Sequence, residues 1–336
     1  MTTFLTFLGA LAGLALLGLG LAAAFTWMIA CRVEALLPPK GRFVEVAGAR
    51  LHVVDTGNEA GAGAAILMIH GLGGQLSHFT HGVAGRLERD FRVVAVDRPG
   101  AGYSRWNADN DAAGAGLSAQ AAALAALIER LGLQRPLVVG HSLGGAVALT
   151  LALEHPQCVG GLALIAPLTH MLEQVPPVFK GLTIASPWLR RLVARTLAVP
   201  ASIRNGRAAL AQVFGPETAP ADFATRGGAL LGLRPGAFLA ASSDVRAVQA
   251  ELPALQARWR ELRLPLRVLY GKDDRILDWR VHGQALADRL PATQLELVEG
   301  GHMLPVTRPD ACAACIAAAA RDTGTAAGRA AAGTAR

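Results

Sequence analysis

The sequence predicts an α/β protein: a mostly parallel, eight-stranded sheet flanked by helices, with a helical cap and an N-terminal transmembrane helix. Three observations carry that reading. Short continuous apolar runs alternate with helical stretches through most of the chain, the pattern of a sheet covered on both faces. From about Thr169 to about Leu262 the alternation stops, and a helical pattern punctuated by Pro176, Pro177, Pro187, Pro200 and Pro220 replaces it. No charged residue occurs between Phe4 and Cys31.

The uncharged run comes first. At about 1.5 Å per residue it is longer than the roughly 30 Å hydrocarbon core of a bilayer. It has no one-sided polar stripe, so it reads as spanning a membrane rather than lying on it. Trp27 stands where an interfacial aromatic would, shortly before Arg32. The competing reading is a signal peptide cut near Ala22-Ala23-Ala24. The lack of Lys or Arg in Met1-Thr2-Thr3 and the length of the run count against it. Arg32, Lys40, Arg42 and Arg50 follow the span and none precedes it, which biases the rest of the chain to the cytoplasm; cleavage would export it instead. Gly9 and Gly13 form a G-x-x-x-G that arises easily by chance in so Gly- and Ala-rich a helix.

Residues 43–47 and 51–55 alternate apolar and polar around Gly48, predicting an opening hairpin. Strands follow at 65–70, 92–97, 137–141, 161–166, 266–271 and 295–299, with helices at 118–131, 144–153 and 281–290. A last helix is expected to end near Arg321. The domain reading is an anchor (1–35), a core in two parts (36–168 and 263–321), a cap (169–262) and a disordered tail (322–336).

Composition narrows the function. The chain is 336 residues long and 52% hydrophobic, too apolar for disorder and able to bury a large core. Collagen-like, coiled-coil and disulfide-scaffold compositions are excluded. Cys31 and Cys158 are isolated, and Cys312 with Cys315 reads as two small apolar residues on one helix face, because no strand precedes them. The net charge of +7 is spread along the chain with no interleaved aromatics. That argues against nucleic acid and suits a domain held near anionic membrane lipid.

The chemistry sits at strand ends. Gly140-His141-Ser142-Leu143-Gly144 directly follows one strand and opens a helix, a sharp turn that lifts the Ser142 hydroxyl clear of the sheet. Serine is a poor nucleophile without an adjacent base. Of the nine histidines, His302 alone combines a late position with a Gly-rich strand exit. The base needs a carboxylate to orient it, and Asp273, Asp274 and Asp278 all follow the strand at 266–271. An oxyanion hole requires two backbone N–H groups: Leu143 supplies one, and Leu72, in His70-Gly71-Leu72-Gly73-Gly74, the other. His70, Gly71 and His141 adjoin these groups and are expected to contact substrate. Asp97–Ser104 lacks the Lys of a phosphate-binding loop and reads as turn chemistry at the rim of the site.

HGLGG, DRPGAGYS, GHSLGG, GKDDRIL and GGHMLPVTRPD follow one another in an order that resembles the α/β-hydrolase superfamily. The likeness covers about Gly41 to Arg321 and is nearest to bacterial esterases, lipases and haloperoxidase-like or epoxide-hydrolase-like members. It implies Asp274 as the acid and Leu72 as the second oxyanion donor. It also implies attack by Ser142, proton transfer through His302, an acyl-enzyme, and no metal or cofactor. Haloalkane dehalogenases and epoxide hydrolases of this type carry an aspartate nucleophile. The serine here favours acyl transfer to water.

The resulting expectation is a serine esterase or lipase acting on small-molecule or lipid-like esters, anchored once in the inner membrane. Other serine-dependent chemistry on the same fold (C–C or thioester hydrolysis, acyl transfer, perhydrolysis) is the alternative, and a non-catalytic ligand-binding relative is the third class. Pro187–Arg195 alternates apolar bulk with Arg190, Arg191 and Arg195. It reads as an ordinary cap helix with its charges in water, with membrane contact as the alternative.

Overall fold

The computed structural model describes residues 2–57, 65–107 and 116–333. Eight strands form one path: β1 (Arg42–Val46), β2 (Ala49–Asp55), β3 (Ile66–Ile69), β4 (Val93–Val96), β6 (Leu137–His141), β7 (Gly161–Ile165), β8 (Leu266–Gly271) and β9 (Gln294–Val298). Their order is β1-β2-β4-β3-β6-β7-β8-β9, and a two-residue strand, β5 (Arg105–Trp106), pairs with β2. β1 and β2 form the expected hairpin, and β2 runs antiparallel to β4. Every later neighbour along the path is parallel.

The continuous apolar runs have a direct physical cause. β3, β4, β6 and β7 are buried at every residue, since helices cover both faces of the sheet. Successive side chains point to opposite sides. Leu67, Ile69 and Val138 join the layer containing helices Leu117–Arg130 and Leu143–Glu154. Ile66, Met68, Leu137 and Val139 join the layer containing the closing helix, where Cys312 and Cys315 lie buried on one face. Burial pushes both thiols up, Cys315 to about 12.

Between β7 and β8 the chain forms an insert of helices, chiefly Pro187–Arg195, Ala198–Phe214 and Pro235–Arg258. Pro200 marks a helix start, sitting in the first turn of Ala198–Phe214, where its missing N–H removes no helical bond. The N-terminal helix Thr2–Leu36 is long and apolar enough to cross a membrane by length and composition.

Local signals missed some elements. Short helices Ser77–Thr80 and Ala84–Leu87 cover the sheet between β3 and β4, each too brief to display a helical period. Residues 281–290 are helical but open with a π turn, Arg280–Gln284. The closing helix does not stop near Arg321: it runs Pro309–Gly333, because an Ala-rich tract that looks low in complexity has the highest intrinsic helix propensity. Residues 334–336 of the expected disordered tail lie outside the described residues.

Candidate active site

Ser142 occupies the junction between β6 and helix Leu143–Glu154 at φ 53° and ψ −121°, a conformation rare for any residue but glycine. The neighbours must be small for the turn to close. A Cβ on Gly140 would lie 2.4 Å from the Gly144 carbonyl oxygen, and one on Gly144 would lie 2.2 Å from that of Ile69. The amide of Ser142 donates to Ile165 (3.1 Å), and its carbonyl accepts from Gly145 (2.8 Å) and Leu168 (2.9 Å).

His302 lies in the loop after β9, and its Nε2 is 3.0 Å from Ser142 Oγ. Its Nδ1 donates to Asp274 Oδ2 at 2.7 Å, which leaves Nε2 free to accept from the hydroxyl. The other Asp274 oxygen accepts from the amides of Ile276 (2.8 Å) and Leu277 (2.9 Å), and the side chain is fully enclosed. This separates the three aspartates that local sequence left open. Asp273 is exposed, and Asp278 accepts from the Arg280 amide at a helix start.

Leu72, Ser142 and Leu143 line an open cavity between the sheet and the insert. Its walls are mostly apolar, with Leu168, Met171, Phe179, Val245 and Ile276 prominent and Glu173 and Gln249 polar. Neither the Leu72 nor the Leu143 amide has a hydrogen-bond partner among the described residues. No group of three or more His, Cys, Asp or Glu is placed to hold a metal ion among them.

The family model for the alpha/beta hydrolase fold matches residues 64–309. The chain belongs to that family. It is 30% identical over 268 residues to the magnesium-chelatase 30 kDa subunit of Rhodobacter capsulatus, covering 79% of this chain and 88% of that one. Among solved structures, a thermophilic esterase from Thermogutta terrifontis superposes with a TM-score of 0.65 at 22% identity, over 84% of this chain and 99% of its own. A membrane phospholipase A superposes with a TM-score of 0.62 at 24% identity, over 96% of this chain and 99% of its own.

Within this alpha/beta hydrolase, the three residues expected to contact substrate are buried and lie off the cavity wall. His70 is fully buried: its Nδ1 donates to the Gly71 carbonyl (2.9 Å) and its Nε2 accepts from the Arg98 amide (2.9 Å). His141 is also buried, and its Nε2 donates to the backbone carbonyl of His302 at 3.0 Å. It therefore braces the loop carrying His302. Neither imidazole lines the cavity, nor does Gly71, where a Cβ would lie 2.9 Å from that of Ser142.

The residue that sequence reasoning missed is Arg98. Its guanidinium is fully buried and donates to the carbonyls of His70 (2.9 Å) and Gly71 (3.1 Å), to Gln120 Oε1 (2.8 Å) and to Asp244 Oδ2 (2.8 Å). It thus holds the loop that presents Leu72 and ties it to the insert helix Pro235–Arg258. The only sequence signal was a cation placed directly after an apolar strand. Beside it, Asp97 accepts from the amides of Leu76 (2.7 Å) and Tyr103 (2.8 Å) and pairs with His52 Nδ1 (2.7 Å).

Replacing Arg98 with Met strands a buried carboxylate, and the expected cost is about 3–5 kcal/mol of stability. Arg98→Met with Asp244→Leu is expected to recover most of that in urea unfolding while the loop stays unbraced and turnover stays low. Recovery of both together would refute the bracing role.

Burial pushes the imidazoles of His70, His78, His141 and His282 below the ordinary value of 6.5, those of His78 and His282 to about 4. Between pH about 6.5 and about 4 the unfolded chain then binds protons that the folded chain refuses, so stability falls with acid. Thermal unfolding midpoints should drop across that window, less steeply in His282→Asn. Equal slopes for the two proteins would contradict a neutral, buried His282.

Proposed function

We propose that the chain is a membrane-anchored serine hydrolase that cleaves carboxylic esters through Ser142, His302 and Asp274. The observation that carries this reading is the continuous chain of contacts, 3.0 Å from Ser142 Oγ to His302 Nε2 and 2.7 Å from His302 Nδ1 to Asp274 Oδ2, opening into a mostly apolar cavity.

His302 Nε2 takes the Ser142 proton as the oxygen attacks the ester carbonyl. The enclosed Asp274 carboxylate keeps Nδ1 protonated and stabilises the imidazolium that forms. The amides of Leu143 and Leu72 receive the negative charge that develops on the carbonyl oxygen. His302 then protonates the leaving alcohol, and a water molecule, activated by the same imidazole, releases the acid from Ser142. The apolar walls suit an acyl chain. The chemistry uses this chain's own groups throughout.

The anchor is the helix Thr2–Leu36. The likeness to a membrane phospholipase A supports it, because a match over 96% of this chain cannot be reached without part of that helix. A lipid-like ester held at a membrane surface is the substrate class that an anchored site with apolar walls favours.

A fluorophosphonate probe should label the protein, and Ser142→Ala should abolish the label. Turnover should fall on the order of a million-fold in Ser142→Ala or His302→Ala, and by about ten-thousand-fold in Asp274→Asn. A panel of esters of increasing acyl length, run beside thioester and diketone substrates, is expected to favour esters. Preference for the diketone or thioester would replace the ester reading, and labelling retained in Ser142→Ala would end the serine mechanism.

A further inference from the structure

The exposed large apolar side chains of this protein are not scattered. Among the described residues outside the N-terminal helix they are Phe43, Trp188, Leu189, Leu197, Ile203, Leu210 and Val281, and five of these seven fall within residues 188–210. Trp188 is 69% exposed, the extreme of the set. Scattered single apolar residues are ordinary on a protein surface, but such a concentration marks an interaction face.

The same segment is strongly basic. Residues 174–216 contain Lys180, Arg190, Arg191, Arg195, Arg204 and Arg207 and no Asp or Glu, in a chain with 32 cations and 25 anions overall. None of these six cations forms an ion pair among the described residues. A surface that mixes cations lacking carboxylate partners with exposed aromatic and aliphatic groups is complementary to an anionic lipid leaflet.

The N-terminal helix places that face. Residues 2–18 are exposed on every side. From Leu19 onward one stripe is covered, with Met28 half-buried away from it: Leu19, Ala22, Ala23, Ile29 and Ala30 are half-buried, and Thr26 and Val33 are buried. Spacings of three and four residues put them on one side of a helix. That stripe packs against helices Pro187–Arg195 and Ala198–Phe214, and Thr26 Oγ1 donates to the Thr196 carbonyl at 3.0 Å. A bilayer core of roughly 30 Å takes up about 20 residues at 1.5 Å each. Counted from Thr2 it ends near Leu21, within the stretch where the insert first touches the helix. The apolar length left over, up to Cys31, is partly covered by the insert.

We infer that helices Pro187–Arg195 and Ala198–Phe214 rest on an anionic leaflet beside the N-terminal helix, with Trp188 and Ile203 entering the interface and Arg191, Arg195, Arg204 and Arg207 meeting lipid phosphates. This rests on the anchor reading above. It also seats in lipid the insert whose first segment, Met171–Phe179, walls part of the cavity. On this inference the charged face of helix Pro187–Arg195 meets lipid rather than water.

The test uses the full chain reconstituted in vesicles of phosphatidylcholine with roughly one-third phosphatidylglycerol. Cys31 and Cys158 are changed to Ser, since Cys312 and Cys315 are buried, and an environment-sensitive dye is attached at Leu14→Cys, Trp188→Cys, Ile203→Cys or Gln294→Cys, one site per protein. Lipids with spin-labelled acyl chains should quench the dye at 14, 188 and 203 and leave 294 unquenched. Changing Arg191, Arg195, Arg204 and Arg207 together to Glu should cut quenching at 188 and 203 by roughly half or more and leave 14 unchanged. Quenching at 14 with none at 188 and 203 overturns this inference and leaves the anchor standing. No quenching at 14 overturns the anchor and the inference with it. Quenching at 188 and 203 that survives the four substitutions overturns the choice of an anionic leaflet.

Discussion

The turn at Ser142 is the constraint on which the rest of the site depends. Its φ of 53° belongs to backbone space that costs a residue with a side chain on the order of 1–3 kcal/mol, and it persists only where the surroundings over-determine it. Here they do. The amide is tied to the end of β7, the carbonyl accepts two amides, and the flanking glycines allow β3, β6 and helix Leu143–Glu154 to approach within distances that no Cβ would permit. That crowding lifts one hydroxyl out of the sheet and aims it at the cavity. It also places the Leu143 amide beside that hydroxyl, so one strained junction supplies two of the groups that the proposed mechanism needs.

The other half of the site is held by polar groups that the apolar core would otherwise reject. A buried guanidinium or carboxylate is tolerable only when its hydrogen-bonding capacity is met. Arg98 and Asp97, adjacent in sequence, meet theirs on different partners: Arg98 on the His70–Gly71 backbone, Gln120 and Asp244, and Asp97 on His52, Leu76 and Tyr103. Together they anchor the loop that carries Leu72 to the sheet, to helix Leu117–Arg130 and to the insert. The neutral imidazole of His70 serves the same end, and that of His141 braces the His302 loop, each by bonding to backbone rather than to solvent. Precision at the proposed oxyanion site therefore comes from residues that never touch the cavity.

The elements that sequence made legible are those with strong periodic or punctuating signals. Fully buried strands such as Ile66–Ile69 and Leu137–His141 announce themselves as apolar runs, and Ser142 and His302 stand at Gly-rich exits from such runs. Four-residue helices show no period, and β5 exists only because its two residues meet β2. His70 and His141 were expected at the substrate because they sit beside the key amides in the chain. Nearness along the chain does not put a side chain in the cavity, however, and both imidazoles are buried against backbone groups of neighbouring loops.

The positions of the buried strands along the chain, the serine turn, the late histidine and the long apolar N-terminus were determined by sequence alone, because each rests on local geometry: side-chain period, the conformational freedom of glycine, and the length of an uncharged run. Three things were decided by tertiary structure. Asp274, rather than Asp273 or Asp278, came to lie against His302 because burial of its carboxylate against that imidazole and two amides is a property of converging loops. Arg98 became a brace because its partners lie 22 to 146 residues away. The insert's basic, apolar helices came to lie beside the N-terminal helix because packing across some 170 residues of chain brought Thr26 to Thr196. Contacts of that range carry no local signature, since only the folded chain brings the groups within reach of one another.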